Sequence, residues 1–313
     1  MQIFELTYPN HLVKDIEETS MAVGYFDGVH KGHQQVIQTA IDVANDRGFK
    51  SAVMTFHPHP LSVLKQTQLE DFLITSLEEK KKYLESMNVD YMFIVTFNKE
   101  LAQLSPEDFV QKFFIEQNVQ HVVGGYDFSF GHKGAGKIQN MKQYAGEQLT
   151  YSVVDKVTYK QEKVSSTRIR ETLDQGDMTL VENLLGHPYL ISAEVVKGEQ
   201  RGRTIGYPTA NLAVPLEHKL PKVGVYAVQA LVNNKYYYGM ANVGYNPTFT
   251  DDVPRPLVEV NLFDFNEDIY GIMIDVEFRY YVRDEEKFDN AEQLISRMKE
   301  DEVETKNFFQ IQT

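Results

Sequence analysis

The hydrophobic pattern changes period near residue 185. Before that point, short apolar runs of strand length alternate with segments whose apolar residues recur at helical spacing. Residues 21–26 form an apolar run that ends in a glycine-containing turn. Val36, Ile37, Ala40, Ile41 and Ala44 then fall on one helical face, with Gly48 placed to cap it. The pattern predicts strands at 51–56, 91–97 and 121–124 and a charged helix over 77–87. Ser105 can cap a further helix, with Pro106 at its first position and Asp108 at its third. Strand and helix in alternation predict an α/β domain with a parallel, doubly wound sheet.

A helix over 178–185 stops at Gly186 and Pro188. Strand patterns then follow one another without helices, at 189–197, 225–232, 235–243, 257–263 and 272–282. Asn233-Asn234 suits a tight hairpin turn, because asparagine tolerates positive φ. Such a series predicts an antiparallel sheet or small barrel. A last amphipathic helix is expected over 291–299. The reading is therefore two domains, 1–184 and 185–313.

Composition narrows the function classes. The 313 residues are 42% hydrophobic and carry a formal net charge of -14. No basic block is present to neutralise a nucleic acid, so none is expected as partner. A phosphate-bearing ligand must be held at local sites, with divalent cations offsetting the acidic background. The absence of cysteine excludes disulfides, thiolate metal sites and a thiol nucleophile. It fits a reducing cytoplasm, which is the expected location. The first residues lack the pattern of a secretory signal, and no apolar stretch reaches membrane-helix length, so no membrane association is expected. Oligomeric state is not set by anything in the sequence.

The most informative segment is Gly24-Tyr25-Phe26-Asp27-Gly28-Val29-His30-Lys31-Gly32-His33. It lies between the first predicted doubly wound strand and its helix, where ligands bind in open α/β sheets. Gly28 and Gly32 allow backbone to approach a ligand. The helix start favours a phosphate, to which both histidines could donate. Zinc is an alternative for the two histidines, with His57 and His59 of the His57-Pro58-His59-Pro60 loop as further ligands.

HKGH within this string resembles the HxGH signature of nucleotidyltransferases. The longer string resembles the first module of bacterial bifunctional riboflavin kinase/FAD synthetases, with Tyr25 in place of the expected Asn or Phe. Residues 124–131 and 165–170 resemble that family in the same order. The resemblance implies a Rossmann-like nucleotidyltransferase domain with ATP as substrate. The FMN phosphate would attack the α-phosphorus of ATP, giving FAD and pyrophosphate. Positioning and charge stabilisation would then be the protein's task. It implies that Gly24, Phe26, Asp27, Gly28, His30 and His33 bind ATP, and that His30 and His33 are catalytic. Ser166, Thr167 and Arg170 would cradle the pyrophosphate, Lys163 and Arg168 adding positive charge. Asp127, Phe128, His57 and Pro58 fall in the flavin region.

The second string, Gly202-Arg203-Thr204-Ile205-Gly206-Tyr207-Pro208-Thr209-Ala210-Asn211-Leu212, puts Thr209 and Asn211 on one side of an extended chain. A hydroxyl and an amide carbonyl suit Mg²⁺ that binds substrate phosphates. With residues 224–226, 242–244 and 258–260, this string resembles a riboflavin kinase module, an antiparallel β-barrel with a terminal helix. The resemblance implies ATP-dependent phosphorylation of riboflavin to FMN, releasing ADP. Gly202 and Arg203 would hold ATP phosphates, Thr209 and Asn211 the Mg²⁺, and Glu259 would act as base. Tyr270 and Arg297 would contact flavin. Leu294, Ile295 and Met298 could cover the flavin ring or serve as core.

Two near matches fail on chemistry. Residues 131–137 have Walker A spacing, but Ile138 replaces the magnesium-binding hydroxyl, so a flexible connection is expected. Asp264, Asn266 and Asp268 begin like a calcium loop, but Ile269 replaces its glycine. Alternatives to the bifunctional enzyme are a chain with one active module and a non-catalytic flavin-sensing regulator.

Overall fold

Side chains in a strand alternate between faces, and both faces of the first sheet are apolar. In β2 (Thr19–Val23), Met21 and Val23 join one hydrophobic cluster and Ala22 the other. β3 (Lys50–His57) and β4 (Tyr91–Thr96) repeat this. Met54, Phe93 and Val95 pack on one side, and Val53, Met92 and Ile94 on the other. Burial on both faces is why these strands read as continuous apolar runs.

The computed structural model describes residues 1–10, 13, 16–198, 206–245 and 255–311. With β1 (Gln2–Leu6), β5 (Val119–Gly125) and β8 (Thr150–Val154), these strands form a six-stranded sheet ordered β1-β4-β3-β2-β5-β8, parallel throughout. The sequence pattern missed β1 and β8. Both are edge strands with mostly exposed residues, so neither carries an apolar run. Strand order reverses at β2, which has β3 on one side and β5 on the other. The turn after β2 therefore opens at the switch point where doubly wound sheets bind ligands.

Helices α1 (Lys31–Arg47), α2 (Pro60–Lys65), α3 (Leu77–Ser86), α4 (Lys99–Ala102), α5 (Pro106–Val110) and α6 (Met141–Ala145) belong to this unit. Gly48 ends α1 in the left-handed conformation and donates to the Ala44 carbonyl. Ser105 caps α5, accepting from the Asp108 amide at 3.0 Å. Two small ribbons complete the unit, β6 (Ser129–Phe130) with β7 (Gly136–Lys137), and β9 (Thr158–Tyr159) with β10 (Glu162–Lys163).

Packing divides the chain into 1–69 with 77–166, and 70–76 with 167–313. The strand pattern placed the division at 184/185. Helices α7 (Ser166–Gln175) and α8 (Met178–Leu185) lie between the two positions. α8 packs on β11 (Tyr189–Val196) and β16 (Met273–Arg283). Residues 70–76 join the second unit as an extended strap. Leu73 donates to the Glu217 carbonyl at 2.7 Å and accepts from the Lys219 amide at 2.8 Å. Asp71 and Asp174 both bind the buried Lys219 ammonium.

β11 and β16 close a six-stranded antiparallel barrel with β12 (Ala210–Leu212), β13 (Gly224–Val232), β14 (Lys235–Gly244) and β15 (Leu257–Leu262). Closure removes the exposed edges that an open sheet would present. Asn233 and Asn234 take φ of 48° and 63° in the hairpin turn between β13 and β14.

The last helix, α9 (Ala291–Phe309), runs ten residues beyond its expected end at 299. The apolar period fades there because the buried positions are polar, Asp301 and Thr305. Arg283 of β16 reaches Asp301 with Nε at 2.8 and 3.0 Å and with Nη2 at 2.8 Å. Asp301 is 2% exposed. Removing one member of a buried pair strands the other charge. Asp301→Ala is expected to lower the stability of the second unit by about 3–5 kcal/mol, read by urea denaturation. A loss below about 1 kcal/mol would show that α9 docks without this pair.

Candidate active sites

The turn after β2 is held in backbone conformations that its side chains disfavour. Phe26 and Val29 have φ of 57° and 39°, and Gly28 has 86°. A β-branched residue at positive φ is an outlier, and each such non-glycine residue costs on the order of 1–3 kcal/mol. Hydrogen bonds to the turn's carbonyls hold it. Tyr25 O accepts from Lys80 Nζ at 2.6 Å and Thr55 Oγ1 at 2.8 Å. Phe26 O accepts from the Val29 amide at 3.3 Å, Asp27 O from Ser166 Oγ at 2.9 Å, and Val29 O from Gln34 Nε2 at 2.8 Å. Gly24 donates to Met54 O of β3 at 3.1 Å. Phe26 and Asp27 are buried.

His30 and His33 come together as stacked rings, 3.5 Å between centroids and 14° apart in plane. His30 caps α1, its Nδ1 accepting from the His33 amide at 3.2 Å. That bond assigns the imidazole proton to Nε2 in the neutral ring, so His30 can offer a ligand only that donor. A Cβ on Gly32 would press the His30 ring at 3.1 Å. His33 is packed edge-on against Phe26, and its Nδ1 is buried without a hydrogen-bond partner. Burial, then His30, Lys80 and Lys163, push His33 well below the usual 6.5. It is a neutral imidazole at physiological pH. His59 instead caps α2, and its ring meets Tyr25 edge-on at 4.1 Å. Among the described residues no group of three or more His, Asp or Glu is placed to hold a metal, so the zinc alternative is dropped.

Of the other expected residues of the first site, Ser166 meets the turn at Asp27 O and Lys163 acts on His33, while the rest are engaged as follows. Lys163 pairs with Asp127 at 2.6 Å and lies 4.9 Å from the Tyr126 ring centroid. Phe128 stacks on Phe130 at 5.9 Å, half-buried. His57 and Pro58 are exposed at the end of β3. Ser166 starts α7, and Thr167 follows it, exposed. Arg170, one turn on, packs within the second unit. Its Nε donates to Phe72 O at 2.7 Å and its guanidinium lies 3.9 Å from the Phe72 ring centroid. Residues 131–137, expected to be a flexible connection, instead complete the tight β6–β7 ribbon that begins at Ser129. A Cβ on Gly136 would strike the Phe130 ring at 2.6 Å, and His132 N donates to Leu104 O at 2.6 Å.

The second site is built by strand register. Val258 and Val260 point into the barrel core and are 1% exposed, so Glu259 between them faces outward. It pairs with Asn211 of β12 on one side and Asn242 of β14 on the other. One carboxylate flanked by two amides is thus set across three strands. A Cβ on Gly198 would collide with the Asn211 side-chain amide, so a larger residue there would displace that amide. Asn261 Nδ2 donates to Pro208 O at 2.8 Å and anchors the segment that carries Thr209.

Thr209 lines a cavity of about 500 Å³ with Ala210, Val195, Val260, Asp268 and Tyr270. A neighbouring cavity of about 350 Å³ shares Pro208, Leu262, Phe265 and Asn266 with it. Tyr270 is thus placed at a cavity. Arg297 is engaged by Glu300 at 2.7 Å, Glu286 at 3.5 Å and Asp301 at 3.7 Å. Leu294, Ile295 and Met298 are half-buried. Gly202 and Arg203 lie outside the described residues. Lys80 and Thr55 were not anticipated, since a lysine in a charged helix and a threonine in a strand carry no sequence signal. Asn242 appeared only within a motif string, and register alone shows it beside Glu259.

Comparison with known proteins covers both units. An FAD synthetase family model matches residues 12–168, and a riboflavin kinase family model matches 185–309. The bifunctional riboflavin kinase/FMN adenylyltransferase of Bacillus subtilis is 43% identical over 311 residues, 99% of this chain and 98% of its own. That of Escherichia coli is 35% identical over 294 residues, 92% of each chain. A Streptococcus pneumoniae crystal structure described as a macrolide-efflux protein superposes with a TM-score of 0.87 at 34% identity, covering 98% of this chain and 99% of that one. Among the described residues no helix is long and apolar enough to cross a membrane. With both family models matched and the relatives aligned along nearly their whole length, the chain belongs to the bifunctional riboflavin kinase/FMN adenylyltransferase family.

Proposed function

We infer that this chain makes FAD from riboflavin in two ATP-dependent steps, one per unit. The observation that carries the reading is the match of both family models, with His30 and His33 joined in one unit and Glu259 set between two asparagines in the other.

In the kinase step, Glu259 takes the proton of the riboflavin 5′-hydroxyl as its oxygen attacks the γ-phosphorus of ATP, and ADP leaves. Thr209 and Asn211 offer neutral, hard oxygens, and the two-residue spacing on an extended segment suits a shared face. They fit Mg²⁺, which takes few protein ligands and binds chiefly through water and phosphate. When bound there, Mg²⁺ would neutralise charge on the ATP phosphates. Tyr270 at the cavity supports a role in ligand binding. Gly202 and Arg203 keep the phosphate-binding role that the motif implies. Arg297, paired with three carboxylates, is the weakest of the flavin contacts.

In the transfer step, an FMN phosphate oxygen attacks the α-phosphorus of ATP and pyrophosphate leaves. No protein nucleophile is needed, so His30 and His33 act by hydrogen bonding to phosphate. A neutral His33 donates without bringing a full charge into a buried site. Gly24, Phe26, Asp27 and Gly28 shape that pocket. Ser166, bonded to Asp27 O, and Lys163 serve the phosphates there, and Thr167 and Arg170 keep the pyrophosphate-binding role that the motif implies. Asp127, Phe128, His57 and Pro58 remain the proposed flavin contacts. Such ATP chemistry belongs to the cytoplasm.

A time course with riboflavin, ATP and Mg²⁺, resolved by chromatography, is expected to show FMN first and FAD after it. Formation of neither flavin would overturn the function. His33→Ala is expected to slow FAD formation by roughly a hundredfold or more and to leave FMN formation intact. Glu259→Gln is expected to slow riboflavin phosphorylation by roughly 10²–10⁴ while FMN supplied directly still becomes FAD. Loss of both activities in both folded variants would sink the assignment of one step to each unit. Chelation of Mg²⁺ is expected to stop phosphorylation, and undiminished turnover in excess chelator would remove Thr209 and Asn211 as metal ligands.

A further inference from the structure

α3 carries a buried cation that the two-step mechanism does not use. Lys80 is 2% exposed. Its ammonium donates to Tyr25 O at 2.6 Å and to Thr55 Oγ1 at 3.0 Å, and it lies 4.2 Å from the centroid of the Tyr25 ring. Thr55 Oγ1 itself donates to Tyr25 O, so lysine, threonine and carbonyl form a triangle at the first residue of the strained turn. Among the described residues no carboxylate is within ion-pair distance of Lys80. Asp27, in the same turn, is the acidic group that acts on it.

Such an arrangement is costly for a purely structural residue. A buried ammonium normally acquires a carboxylate partner, and an apolar residue of similar volume often serves stability as well or better. What the cation does here is specific to the turn. It is the charged tether on the carbonyl that precedes Phe26, and it is one of three cationic or ionisable groups acting on His33, with His30 and Lys163. We propose that Lys80 is a positioning residue for adenylyl transfer: its ammonium fixes the turn that carries His30 and His33 and supplies positive charge toward His33. The proposal rests on the adenylyl-transfer reading of the first unit. Lys80 hydrogen-bonds to Tyr25 O and Thr55 Oγ1, so it acts through the turn and through its field.

Protonation matters to this role. Burial brings Lys80 down to about 8, with Asp27 pulling the other way. Above that pH the tether loses its charge. The groups facing Lys80 are Tyr25 and Asp27 of the turn, Thr55 of β3 and His33 of α1. The wild-type rate of FAD formation is therefore expected to fall on the alkaline side, near that value.

The test uses the full chain with Lys80→Met and Lys80→Arg. In Lys80→Met the Tyr25 carbonyl keeps Thr55 Oγ1 as donor, so the fold is expected to persist. Riboflavin phosphorylation in the same preparation reports the integrity of the second unit. FAD formation from FMN and ATP is expected to drop by about tenfold or more in kcat/KM for ATP, with phosphorylation unchanged. The imidazole midpoint of His33, followed by NMR on labelled histidine, is expected to rise in Lys80→Met, because a positive neighbour is gone. Lys80→Arg stays charged, so its alkaline fall near pH 8 is expected to disappear. A Lys80→Met rate within twofold of wild type, or an unmoved His33 midpoint, overturns the proposal. If Lys80→Met does not fold, Lys80→Arg decides alone, and a retained alkaline fall near 8 overturns it. Absence of FAD formation by the unaltered chain would instead count against the transferase function itself.

Discussion

The first unit depends on a strained turn held by its own carbonyls. Residues 25–29 bend through positive φ at Phe26, Gly28 and Val29, and two of those three residues carry side chains that resist it. The strain persists because the neighbouring elements over-determine it. β3 contributes Thr55, α3 contributes Lys80, α1 contributes Gln34, and the start of α7 contributes Ser166. With Tyr25, Phe26, Asp27 and Val29 each accepting a hydrogen bond, the turn has few alternative conformations left. His30 can then cap α1 and stack on His33 in one fixed relation. A strained turn at the strand-order reversal is where a phosphate site gains most from being rigid before the ligand arrives.

The second unit reaches rigidity by a different route. A closed barrel sets the position of every residue relative to its neighbours through strand register, and a slip of one residue would turn Glu259 into the core. Val258 and Val260 resist that slip, since both would have to become exposed. Glu259 is thereby held level with Asn211 and Asn242. The same logic explains the last helix. Its far half is tied by the buried Arg283–Asp301 pair and by Tyr280 stacked on Phe308, rather than by an apolar stripe.

The packing boundary shows how sequence distance and structure separate. Residues 70–76 lie far from the barrel in sequence, yet their backbone pairs with residues 216–219 and Asp71 shares Lys219 with Asp174. A strap of seven residues with no regular apolar period leaves no trace in a hydrophobic pattern. It becomes visible only when its partners are in place. Arg170 stacked on Phe72 is a second consequence of that strap.

Sequence by itself determined the two architectures, because period 3.6 and period 2 are local properties of the chain. It located β2, α1 and the barrel hairpin at Asn233-Asn234, and it singled out His30, His33, Thr209, Asn211 and Glu259 through their motifs. Edge strands β1 and β8 escaped, since an edge strand needs no apolar run. Tertiary structure alone decided which groups meet. It stacked the two histidines, enclosed Nδ1 of a neutral His33, set Asn242 beside Glu259, and brought Lys80 from a charged helix to the Tyr25 carbonyl. The physical reason is that periodicity reports which face of an element is buried, whereas hydrogen bonds and electrostatic fields depend on which elements become neighbours.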